Sequence, residues 1–183
     1  MVAVALGARA ATVEYNAILN GPSESPPNAS PATGFADFFY NDAVHTLSIN
    51  MSWSGLTGPT SASHIHAATA VPGVSTAGVA TTTPYFTGFP IGVTSGSFST
   101  VLDLTQSSSY NGSCITANGG TTATAETALI GAINTGRAYL NIHSQTFPNG
   151  EIRGFLFQVP EPSSAAILGL GSLLLFRRIR RRS

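Results

Sequence analysis

Histidine is the residue type through which this chain could do chemistry, and two of its four histidines, His64 and His66, sit one residue apart. The run Ser63-His64-Ile65-His66 reads as a β-strand. Side chains alternate across a strand, so both imidazoles point to one face and Ile65 to the other. Same-face imidazoles can share a metal ion, but such a site commonly needs three or four ligands, with nitrogens about 2.0–2.1 Å from the ion. His143 is the natural third ligand if its strand lies beside theirs, and imidazole donors suit copper and other transition metals. The competing reading is a hydrogen-bonded polar cluster of these histidines with Tyr139 and Asn141. His45 begins the core-facing set of another strand and reads as structural.

The elements that must position these residues are short strands separated by turn residues, the pattern of an antiparallel sandwich or barrel. Thr12–Leu19 is a candidate first strand, ended by Asn20-Gly21-Pro22, and Pro26, Pro27 and Pro31 keep the next stretch extended. Gly34–Tyr40 and Val44–Trp53 form a predicted hairpin across Asn41-Asp42. In its second strand Leu47, Ile49, Met51 and Trp53 share one face. A further strand pair is predicted near Thr83–Val93 and Gly96–Leu104, then a polar low-complexity loop over Gln106–Gly120. Ala125, Leu129, Ala132 and Ile133 have helical spacing, so one helix is expected over Thr124–Asn134, stopped by Gly136. Arg137–His143 and Glu151–Gln158 close the body around the turn Pro148-Asn149-Gly150. Glu151 and Arg153 are same-face neighbours that could pair.

Composition excludes several classes of function. The chain has 183 residues, 9% of them charged, and no lysine. Five of its eight arginines lie in the last seven residues. Residues 11–158 hold seven carboxylates against Arg137 and Arg153, a net charge of −5. Such a body lacks the basic face that nucleic-acid binding requires. Cys114 is the only cysteine, so no internal disulfide can form. It reads as a loop thiol without metal-ligand spacing. Glu24, Asp37, Asp42 and Asp103 lack the spacing of a calcium loop and read as solvated turns, and no Gly-x-Ser-x-Gly elbow is present.

The two ends read as addresses. Residues 1–11 are small and apolar and include Ala8-Arg9-Ala10, as in the remnant of a signal peptide. At the other end Val159-Pro160-Glu161-Pro162 precedes an apolar helical run, Ser163–Phe176, and the cluster Arg177, Arg178, Arg180, Arg181 and Arg182. The run has fourteen residues, short of the roughly 20 that span a bilayer. The arginines would hold the C-terminus in the cytoplasm.

This tail resembles the PEP-CTERM sorting signal, with Pro160-Glu161-Pro162 as its motif. The resemblance implies a surface protein of an exopolysaccharide-producing bacterium, held briefly in the inner membrane until an exosortase-type peptidase removes residues 159–183. The body resembles the CHRD domain. The stretches that carry this are Pro26–Gly34, Ser54-Gly55-Leu56-Thr57-Gly58-Pro59, Ala62-Ser63-His64-Ile65-His66, Gly136–His143 and, most specific, Phe147-Pro148-Asn149-Gly150-Glu151-Ile152-Arg153-Gly154. Ala67-Ala68 departs from it, since many members have Gly-Pro there. That resemblance implies an extracellular β domain over 12–158 and names no reaction.

The histidines are also similar to the copper site of copper/zinc superoxide dismutases, where a His-x-His strand is completed by a late histidine after a Gly-Arg strand start, here Gly136-Arg137. No histidine lies between His66 and His143, so the bridging and zinc-site ligands are missing. The expected fold is all-β, an antiparallel Greek-key sandwich or barrel of immunoglobulin-like or superoxide-dismutase-like form, with one short helix and a C-terminal hydrophobic helix. The expected function is a non-enzymatic binding or matrix module at the cell surface or in the exopolysaccharide matrix, with metal binding at the histidines as one option. The alternative is a single-metal, copper-type oxidoreductase resembling superoxide dismutase, with Arg153 or Arg137 attracting the anion.

Overall fold

The computed structural model describes residues 12–160, and residues 1–11, expected to be a signal-peptide remnant, and the sorting tail from Glu161 onward lie outside the described residues. The strands are β1 (Thr12–Asn20), β2 (Thr33–Asn41), β3 (Thr46–Ser54), β4 (Thr60–Ala67), β5 (Gly96–Asp103), β6 (Ala138–Ser144), β7 (Ile152–Phe155) and β8 (Phe157–Gln158). They form one curled antiparallel sheet in the order β4-β6-β7-β1-β2-β3-β5, with β8 beside β1. The all-β expectation holds. The curl brings the two edges together at one end, where Thr60 N–H donates to Val93 O (2.8 Å) and Gly92 N–H to Thr60 O (2.8 Å), just ahead of β5. Among the described residues no helix is long and apolar enough to cross a membrane.

Alternation sets the register. Leu47, Ile49, Met51 and Trp53 of β3 point inward with Tyr15, Ala17 and Leu19 of β1 and Ala36 and Phe38 of β2. A one-residue slip would turn each of these sets out to water. Ile65 of β4 and Leu140 and Ile142 of β6 complete the inner wall, which Phe86, Phe89, Leu104, Leu129 and Ile133 fill.

The helix spans Thr122–Asn134 and is preceded by a shorter one, so the two are α1 (Gly112–Ala117) and α2. Thr121 caps α2 by accepting from Thr124 N–H. Gly136, at φ +64°, ends it. Gly136 N–H donates to Ile133 O and Arg137 N–H to Ala132 O, the paired bonds of a Schellman stop. Tyr15 and Tyr40 donate their hydroxyls to Asn134 and Glu126 of this helix, fixing it to β1 and β2.

Several sequence expectations change. Thr83–Val93 forms no strand, because Pro84, Pro90 and the left-handed Gly88 and Gly92 break the ladder. Gln106–Gly120 is a 3-10 turn (Ser107–Ser109) followed by α1, with Asn111 capping Ser113 N–H. His45 is left-handed (φ +53°) in the β2–β3 turn and faces Glu126 at 3.0 Å instead of the core. Glu24 is buried, and Glu151 and Arg153 are buried without pairing with each other.

The sheet has two unlike outer faces. On β1, β2 and β5 outward residues such as Ile18, Phe35 and Val101 are exposed, whereas every residue of β6 and β7 is buried. Loops around residues 21–31, 75–86 and 145–151 lie over the outer face of β4, β6 and β7, and the histidines lie beneath them.

Candidate metal centre

β4 pairs with β6 so that His64 lies opposite Asn141, His66 opposite Tyr139 and Ala62 opposite His143. His143 is therefore the diagonal neighbour of His64 on the same outer face, within the reach of long side chains. The three ligand atoms lie within 4.8 Å of one another, the one such cluster of three or more histidine, cysteine or acidic groups among the described residues.

Each ring is held from behind by a loop carbonyl. Nδ1 lies 2.9 Å from Pro84 O in His64, 2.8 Å from Ala77 O in His66 and 2.9 Å from Pro148 O in His143. A carbonyl only accepts, so each Nδ1 carries the proton and each Nε2 keeps its lone pair. The three rings cluster, with centroids 4.7 to 6.4 Å apart. Nε2 of His64 and Nε2 of His143 are 3.1 Å apart, and Nε2 of His66 is buried with no partner.

Electrostatics keeps the rings neutral. Burial first, and then the neighbouring His66 charge, pushes the pKa of His64 down to about 4. Burial likewise takes His66 to about 4, against the pull of its carbonyl bond, and it lowers His143. A hydrogen bond between His64 and His143 would need a second proton on one of these rings, which their depressed pKa values oppose. A cation between them would relieve the repulsion. Two nitrogens about 2.05 Å from one ion at a tetrahedral angle lie about 3.3 Å apart, close to the observed gap. The carbonyl bonds at Nδ1 are the outer contacts that metal-ligating histidines usually have.

Tyr139 and Asn141 lie in the same layer. Tyr139 stacks on His66 with ring centroids 4.6 Å apart and an 8° tilt, and the Arg153 guanidinium sits 4.6 Å from the Tyr139 centroid. Arg153 donates to Ser23 O and, at 2.9 Å, to Ser75 O. Its carboxylate neighbour Glu24 is 4.0 Å away and only 6% exposed. Burial raises the Glu24 pKa to about 7 despite that cation. Glu151 instead accepts from Ser30 and from both Thr57 donors, clamping two loops to β7. Arg137 donates to Thr69 O, so both body arginines are tied to loop carbonyls.

The strand pattern brought His64, His66 and His143 to one place, as expected from alternation. What it missed is the lid. Ala77, Pro84 and Pro148 act through backbone oxygens that no residue type announces, and Glu24 reaches the layer from a loop 117 positions before Asn141. Of the sorting motif, Val159 and Pro160 are described, and Val159 N–H donates to Glu14 O at 2.9 Å. Glu161, Pro162 and the arginine cluster lie outside the described residues.

No curated protein and no solved structure matches the chain. A PEP-CTERM protein-sorting motif matches residues 158–182, the exosortase signal of an exported protein sorted to the cell surface. The CHRD domain matches residues 15–156, from β1 through β7 and including all three converging histidines, and the chain belongs to that family.

Proposed function

We propose that this exported CHRD protein is a metal-binding module of the cell surface or exopolysaccharide matrix, in which His64, His66 and His143 hold one transition-metal ion without turning over a substrate. The observation that carries the reading is the cluster of three imidazoles, with ligand atoms within 4.8 Å of one another and each Nδ1 held by a loop carbonyl. Its test is the metal content of the purified full chain beside His64→Ala, His66→Ala and His143→Ala. One equivalent of metal, lost in each variant, is expected, while a metal-free chain that takes up no copper, zinc, iron or manganese would refute it.

A copper-type oxidoreductase resembling superoxide dismutase is the second reading, favoured by the all-imidazole donor set. Turnover requires an open coordination position, and Nε2 of His66 has almost no contact with solvent. Superoxide dismutation by the metal-loaded chain at a rate above free copper would establish this reading over the first. For the tail, we propose that exosortase-type cleavage removes residues after about Val159, following a stage in which the helix and arginines hold the C-terminus in the cytoplasm.

A further inference from the structure

We infer that the ion this site selects is monovalent and held by three imidazoles alone, which makes it a cuprous-ion site. The inference rests on the metal-binding reading above and adds the charge and coordination number of the ion.

The donor set is the first ground. His64, His66 and His143 bring no negative charge, and no carboxylate joins their cluster among the described residues. A dication bound there would keep its whole charge inside the protein. The solvation free energy an ion gives up grows with the square of its charge, so a dication costs roughly four times as much as a monocation to bring into the same enclosure.

The surrounding charges are the second. The layer behind His66 presents a cation, since Tyr139 stacks on His66 and Arg153 lies over Tyr139. The buried acid of that layer, Glu24, stands 4.0 Å from Arg153, at the outer limit of an ion pair, and is not part of the histidine cluster. His45 and Glu126 face each other at the β2–β3 turn, not here.

Closure is the third. His64 and His143 are 6% and 8% exposed, and the free nitrogen of His66 is buried. Zinc at three protein ligands takes a water or a substrate as its fourth. Cupric ion asks for tetragonal coordination. Cuprous ion has a filled d shell and is satisfied by two or three nitrogen donors, so it alone among these needs nothing the enclosure withholds. No bond is made or broken in this step beyond coordination, and the copper enters already reduced.

The test loads the full chain with one equivalent of Cu(I) under anaerobic conditions, then exposes it to air and records the electron paramagnetic resonance and X-ray absorption edge of the copper. An EPR-silent sample with a three-coordinate, nitrogen-ligated Cu(I) edge is expected, and Co(II) and Zn(II) should fail to displace the copper. Stoichiometric Cu(II) signal after air, or Zn(II) or Co(II) bound in its place with four-coordinate geometry, overturns the inference and leaves the metal-binding reading standing. Failure to take up any of these ions overturns both. His66→Gln should lose Cu(I) to the competing chelator bicinchoninate and His45→Ala should retain it. If His66→Gln does not fold, the air-exposure measurement on the unaltered chain decides alone.

Discussion

At the proposed metal site protons would compete with the ion for the same three nitrogens, and the competition has a sign. His64 and His66 titrate near pH 4 in the folded chain, against about 6.5 when unfolded. Between those values the unfolded chain binds more protons, so stability rises with pH there. As pH falls from 7 to 4, the metal-free protein should lose roughly 3 kcal/mol for each of these two histidines. Urea unfolding at pH 7 and pH 5 checks this, and equal midpoints would contradict neutral, buried imidazoles. Glu24 works the other way. Its folded pKa is raised to about 7, so its contribution is present below the usual carboxylate range and is lost as pH rises through 7. Glu24→Gln should therefore gain stability relative to the parent between pH 5 and pH 8, and a constant difference across that range would argue against a buried, uncharged carboxyl.

At the scale of elements, β4 and β6 carry the three histidines, and loops bury the outer face of these strands and of β7 while the core buries the inner one. The closest approach of backbone to a glycine is at Gly154 of β7, where a Cβ would press into the carbonyl of Ile18 on β1. Gly154→Ala should destabilise the fold by about 1–3 kcal/mol and shift the thermal midpoint down, with an unchanged midpoint showing that β1 and β7 can separate. Strand content was legible where alternation was clean, as in Leu47-Ser48-Ile49-Asn50-Met51. It was illegible where a segment is shaped by what it covers. Residues 83–93 have strand-like composition, yet their backbone follows the edge of β4, with Phe86 N–H donating to Ser63 O. The helix α1 hid in a polar stretch because its hold on the core comes from Cys114 and Ile115, packed from a run of small residues. Of the candidate site, the clustering of the three histidines was readable from spacing, while Glu24 and the three carbonyls were not, since burial of a loop is decided by the whole fold.

For the whole molecule, the sequence divides into an acidic body and a basic tail, and the family matches divide it at nearly the same place. Intact mass of the protein recovered from its host should show the tail removed, and a full-length C-terminus would refute cleavage. The join between the two parts has a mechanical consequence. Val159 is still bonded to Glu14 of β1, and β8 just before it holds to β1 through two residues, one of them Phe157, which is 57% exposed. Pro160 follows at once, so the motif begins where the sheet ends. On the body's side of the motif there is no leash: there, freeing more chain means peeling β8 off the sheet.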